Sequence, residues 1–355
     1  MRSPRALRLR AGPEALRLLR ERGLRAEDVD VLPAASGGPK WLVLAGLDRV
    51  LFGDFLQRPR ARPLHLVGAS IGAWRLACLA QRDPAAALVR AHEAYVEQRF
   101  PPRPPPGLVS ATTAAILSTL LGPDGAAEIL SHPWMRLHVL TTACFGPAAS
   151  ERPAIQTAGL LLAAAANVVS RRGLGLQLRR VVFHDAGADS PLAGLRDVAT
   201  THAPLTRANL EAALLASASI PLVLLGVHVP GGPPATYRDG GVLDYHIDLD
   251  FGPGDGLVLF PHFYDHVVPG WFDRRLPWRR ASPERLKRTL LLSPSPEFVA
   301  RLPHGKIPDR DDFHARRDGE RITAWRQVVD ASRRLGDEFG DLLATGRLAE
   351  HVQPL

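Results

Sequence analysis

A serine flanked by glycines, Gly68-Ala69-Ser70-Ile71-Gly72, follows the apolar residues LHLV (64–67) and precedes a helical stretch. GxSxG at a strand-to-helix turn is a setting for a nucleophile. The serine takes strained backbone angles there, and flanking glycines remove the Cβ clashes of so sharp a turn. The turn lifts the hydroxyl above the sheet. The helix start behind it offers a positive dipole end and free N–H groups to an oxyanion forming on an acyl carbon. The alternative is a glycine-rich turn in which Ser70 only caps the helix.

Two further segments offer matching chemistry. In Ser36-Gly37-Gly38-Pro39-Lys40 the paired glycines free backbone N–H groups to point into one space, an anion cradle. It fits neither the P-loop spacing nor the dinucleotide GxGxxG pattern, and Ser36 could instead be a helix cap. In Tyr237-Arg238-Asp239-Gly240-Gly241 the Asp-Gly pair is a common turn. It is also a way to hold a carboxylate where it can accept a proton from Ser70. A serine hydroxyl needs such a base to act as a nucleophile, and a partly desolvated carboxylate can serve.

The surrounding elements read as strand–loop–helix repeated. Residues 13–22 form a helix opened by Pro13 and closed by Gly23, and 28–32 form a strand. Residues 40–55 return to helical spacing through Leu44, Leu47 and Leu51; 64–67 are a strand and 71–80 a helix. PPRPPPG (101–107) is a loop. Strands are expected at 136–143, 178–184, 222–229 and 256–260, and helices at 154–169 and 205–216. This is the rhythm of a three-layer α/β/α fold with a mainly parallel central sheet. The expected division is one domain over 1–305, its core at about 28–260, with a helical extension over 306–355 packed on it.

The chain has 355 residues with 44 basic against 36 acidic, a net charge of +8, and its only lysines are Lys40, Lys287 and Lys306. Hydrophobic residues at 46% and charged residues at 23% exclude a disordered chain. The aperiodic Pro and Gly exclude a collagen-like one. Basic charge alone fits nucleic acid, an anionic membrane or nothing specific, and no nucleic-acid motif is present. Cys78 and Cys144 sit in apolar surroundings as packed thiols, without zinc-ligand spacing. The most apolar run, 158–169, is too short to span a membrane and contains Asn167. The first residues, MRSPRALRLRAG, lack the apolar centre of a secretory leader, so a cytoplasmic location is expected.

SGGPK (36–40), GASIG (68–72) and DGG (239–241), with Ala216-Ser217-Ala218-Ser219-Ile220-Pro221 ahead of the last, together resemble the patatin-like phospholipase family in order and spacing. The likeness covers roughly residues 28–260. It implies a catalytic dyad, with Ser70 as nucleophile and Asp239 as its base. It implies an oxyanion hole from Gly37, Gly38 and Ile71, with Gly68, Gly72, Lys40, Gly240 and Gly241 supporting the motifs. The substrate it implies is a phospholipid or related acyl lipid, cleaved without metal or cofactor. Two positions depart from the pattern: Pro39 stands where a third glycine is usual and has no N–H to donate, and Trp41 replaces a frequent glycine.

Two other readings remain open. A Ser–His–Asp α/β-hydrolase would need one of His246, His262, His266 or His304. A non-catalytic lipid-binding scaffold would need neither Ser70 nor Asp239. The stretch 271–290 carries seven basic residues against two acidic, with Trp271, Phe272 and Trp278 between them. It is either an interfacial patch for an anionic membrane surface, giving peripheral attachment, or a solvated loop. Asp185 with Asp189 reads as turn chemistry, and His262, Asp265 and His266 as the rim of a site rather than metal ligands.

Overall fold

The computed structural model describes residues 5–185 and 190–355; Asp189 lies outside them. The apolar runs between turns become strands, in chain order β1 (Leu7–Ala11), β2 (Val29–Ala34), β3 (Leu64–Ala69), β4 (Met135–Cys144), β5 (Leu178–His184), β6 (Thr200–Pro204), β7 (Thr236–Asp239), β8 (Leu257–Pro261), β9 (Thr289–Pro294) and β10 (Val352–Pro354). They form one ten-stranded sheet in the order β10-β1-β9-β8-β2-β3-β4-β5-β6, with β7 also on β4. The central run β9-β8-β2-β3-β4 is parallel, while β1 and β5 run antiparallel to their inner neighbours. Helices cover both faces in an α/β/α arrangement, which explains why β2, β3 and β8 read as nearly continuous apolar runs.

Register brings the two chemical motifs together. β3 runs up one edge of β4 and ends with Ala69 opposite Leu140. β7 comes down that edge from the other end and stops with Asp239 opposite Thr141. Ser70 follows the last residue of β3, so the serine and the carboxylate meet where two strands converge on a third. Helix Ile71–Leu79 then leaves the sheet and is locked by the buried ion pair of Arg75 with Asp48, whose second bond, Arg75 Nε to Asp48 Oδ2, is 2.6 Å.

Several elements differ from the sequence expectation. Residues 38–55 are helical throughout but change pitch, from a 3-10 turn at Gly38–Leu44 through α-helix Ala45–Val50 to a π-turn at Leu51–Phe55. The C-terminal helix Arg333–Ala344 crosses there: a Cβ on Gly46 would lie 2.1 Å from the Ser332 carbonyl oxygen, and Gly46 N–H donates to Ser332 Oγ at 2.8 Å. Residues 222–229 are turns, not a strand. Leu222 has φ 66°, and only Val227 bridges to Tyr237. The chain end is not wholly helical either, because β10 adds an outer strand parallel to β1. Helices Pro84–Val96 and Pro106–Leu121, and strands β1, β6, β7, β9 and β10, were not anticipated. Cys78 and Cys144 are buried free thiols. Among the described residues, no helix is long and apolar enough to cross a membrane.

Candidate active site

Ser70 sits between β3 and helix Ile71–Leu79 with φ 55° and ψ −134°. A non-glycine residue holds such angles only when its surroundings impose them, at a cost of about 1–3 kcal/mol. Here the Ser70 N–H donates to Ser217 Oγ at 2.8 Å, and that hydroxyl donates to the Leu140 carbonyl at 2.6 Å. Ser217 thus props the turn against β4. Gly72 is required by close approach, since a Cβ there would lie 2.1 Å from the Ala34 carbonyl oxygen. The alternative role of Ser70 as a helix cap is not what the geometry shows, because its side chain makes no cap hydrogen bond.

Its hydroxyl donates instead to Asp239 Oδ2 at 2.6 Å, and both residues are 6% exposed. The other carboxylate oxygen, Oδ1, accepts the Gly241 N–H at 2.7 Å. Backbone bonds fix the aspartate from both sides: its N–H donates to Ser219 O at 2.9 Å, and its carbonyl accepts from Thr142 Oγ1 at 3.0 Å. Burial pushes the carboxyl up to about 6, against the lowering effect of the Ser70 and Gly241 hydrogen bonds and of Arg310. It is therefore largely ionised at neutral pH yet more basic than a surface carboxylate, which suits a general base. The segment after it is pinned by a two-pronged ion pair of Arg180 with Asp244, at 2.6 and 2.7 Å.

Gly38 lines the same cavity as Ser70, and the neighbouring Ser36 packs on Gly241 with its N–H tied to the Tyr245 carbonyl at 2.9 Å. Gly38 has φ +54° and faces the side chain of Arg310, whose Cγ would be 3.3 Å from a Cβ at Gly38. Among the described residues, the N–H groups of Gly37, Gly38 and Ile71 donate to no group in the chain. Pro39 occupies the first turn of the 3-10 helix, where no N–H is called for. Trp41 is buried against His92, ring centroids 4.4 Å apart, so it packs the loop's underside. Ser36 does not cap that helix: its buried Oγ has no partner.

Ser70 and Ile71 open onto a cavity of about 1130 Å³. One side is apolar, from Trp74, Val109, Ile116, Ile220, Val223 and Leu224. The expected strand 222–229 thus contributes a wall. Lys40 also lines the cavity, near charged residues, and burial lowers it to about 8, with Arg310 and Arg274 adding to the shift and Asp309 and Asp311 opposing it.

None of the four late histidines is hydrogen-bonded to Ser70. His246 and His262 are buried and held well below the ordinary histidine range by that burial, and their Nδ1 atoms accept from Val268 and Tyr264 backbone N–H groups. His266 pairs with Asp265 at 3.1 Å, and Asp265 pairs with Arg8 at 2.6 Å. Among the described residues no group of three His, Cys, Asp or Glu could hold a metal ion. Within 271–290, Trp271 and Trp278 are exposed at 41% and 63%. Arg285, Lys287 and Arg288 are engaged by Asp248, by Glu14 and Glu284, and by the Gly252 and Gly256 carbonyls.

The sequence pattern did not single out Arg180, Asp244 or Arg310, which brace or face this site. Asp244 carried a local signal, five residues beyond Asp239; Arg310 carried none. In comparison with known proteins, residues 35–246 match the family model described as patatin-like phospholipase. The matched segment holds Gly37, Gly38, Ser70 and Asp239 and ends before Arg274 and Arg310. No curated protein matches the chain.

Proposed function

This chain belongs to the patatin-like phospholipase family, a family of lipid acyl hydrolases, and from that premise we propose that it cleaves carboxylic esters of acyl lipids through an acyl-Ser70 intermediate. The observation that carries this reading is the 2.6 Å hydrogen bond to a buried Asp239 from the Oγ of Ser70, which lines a half-apolar cavity. As Oγ attacks the acyl carbonyl, its proton passes to Asp239 Oδ2. The oxyanion is received by the N–H groups of Gly37, Gly38 and Ile71, each such donor supplying about 3 kcal/mol in the transition state. Asp239 returns the proton to the departing alcohol, leaving the acyl group on Ser70. Water then attacks the acyl-enzyme with Asp239 again as base, releasing the fatty acid. The apolar wall from Trp74 to Leu224 accommodates the acyl chain.

A panel of acyl lipids with product identification tests the reaction class. Free fatty acid and the deacylated alcohol are the expected products; cleavage at a phosphodiester would refute the proposal. The same reading takes the chain as one catalytic unit with 306–355 as its extension. It also places the exposed Trp278 with Arg275 and Arg280 at an anionic membrane surface. Substituting Arg275→Glu with Arg280→Glu should reduce sedimentation with anionic liposomes several-fold relative to wild type, and undiminished binding removes that contact.

A further inference from the structure

Four of the basic residues that line the cavity, Arg274, Arg310, Arg316 and Arg317, lie beyond the family match, while Lys40 and Arg103 lie within it. The lining sets these six basic residues against three acidic ones (Asp309, Asp311 and Asp318). The pairing is uneven. Asp309 is taken by Lys306 at 2.9 Å and Asp318 by Arg321 at 3.3 Å. Among the described residues, Lys40, Arg274 and Arg310 have no carboxylate within ion-pair distance, and of the other lining arginines only Arg316 is paired, with Asp312 at 3.6 Å. Arg274 rests on aromatic rings, its guanidinium carbon 5.6 Å from the Tyr245 centroid. Arg310 lies over Gly38, next to the candidate oxyanion loop.

An orphan donor adjoins them. His246 lines the same cavity and is fully buried. Its Nδ1 accepts the Val268 N–H at 3.0 Å, so the neutral ring carries its proton on Nε2, and Nε2 has no partner. Three cations without carboxylate partners line one cavity that also holds Ser70, with a buried, unpartnered donor on a residue of the same lining, and together they form a site for a group rich in negative oxygen.

We infer that this cavity selects acyl esters with a net anionic headgroup, a phosphate without a compensating ammonium, held by Lys40, Arg274 and Arg310 with His246 as a further donor. The inference rests on the hydrolase reading and adds the headgroup to it. Arginine suits the task because its planar fork meets phosphate oxygens two at a time. A zwitterionic headgroup would bring its ammonium against the same cations, with Asp311 the one lining carboxylate not already paired among the described residues. Burial lowers Lys40 to about 8, with Arg310 and Arg274 adding to the shift and Asp309 and Asp311 opposing it, and a bound phosphate favours its charged form.

The test uses the full-length Ser70→Ala protein and calorimetry with dihexanoyl phosphatidic acid, dihexanoyl phosphatidylcholine, dihexanoylglycerol and inorganic phosphate, all as monomers. The phosphatidic acid should bind about tenfold or more tighter than the choline and neutral esters, and Arg274→Gln and Arg310→Gln should each cut that ratio about fivefold. Equal binding of the three lipids overturns the inference. So does inorganic phosphate binding as tightly as phosphatidic acid, which would mark a site for the free anion. Wild-type turnover separates the two levels. Hydrolysis of all three esters at equal kcat/KM keeps the hydrolase and rejects the headgroup. Selective binding without hydrolysis of any ester supports the anion site and rejects the hydrolase.

Discussion

Replacing Ser70 by alanine should lower kcat/KM for a p-nitrophenyl acyl ester by about 10 000-fold or more, to the level left by binding and the oxyanion donors alone. The loss should fall on kcat, because the oxygen removed forms the bond. The fold should not suffer. Alanine keeps the Ser70 N–H bond to Ser217 and removes only the hydroxyl bonded to Asp239. Residual activity above about one per cent would place the nucleophile elsewhere.

Asp239→Asn should cost nearly as much, about 1000-fold or more in kcat, since an amide can neither take nor return the serine proton. Here stability and activity should move in opposite directions. The carboxyl is raised by burial from 3.8 to about 6. A raised pKa means that the folded state holds the proton more tightly than the unfolded chain. The ionised carboxylate therefore costs stability, a cost that grows as pH rises from about 4 to about 6 and is constant above. Its size is about 3 kcal/mol on the linkage scale. Asparagine is free of that cost and can still accept the Gly241 N–H. The variant should thus match or exceed wild type in Tm at pH 8 and lose any advantage near pH 4. A marked fall in Tm at pH 8 would mean that the carboxylate is structural. In the wild type, kcat/KM should rise through about pH 6 as the base ionises and then level off.

The parts of this site readable in the sequence are those where backbone geometry restricts residue type. The turn at Ser70 tolerates only glycine at position 72 because the Ala34 carbonyl stands 2.1 Å from where a Cβ would be. Such restrictions leave a local pattern. Arg310 and Arg180 reach the site or brace it from distant segments, and an arginine in a chain rich in arginine announces nothing. Among the strands, β2, β3 and β8 were legible because burial on both faces makes them apolar runs. β1 alternates leucine with arginine, β7 is four residues with three polar ones, and β10 is three residues at the sheet's edge. The run 222–229 misled for the opposite reason: Val223 and Leu224 line a cavity instead of pairing, after Pro221 and the positive φ of Leu222 turn the chain.

If Asp239 activates Ser70, the reactivity of the serine follows the ionisation of the carboxylate. The most direct measurement is the rate and position of covalent labelling by a fluorophosphonate across pH. One labelled peptide is expected, the one containing Ser70, with a labelling rate that climbs through about pH 6 to a plateau and falls at least about 100-fold in Asp239→Asn. Label on another residue, or an undiminished rate in Asp239→Asn, would contradict it.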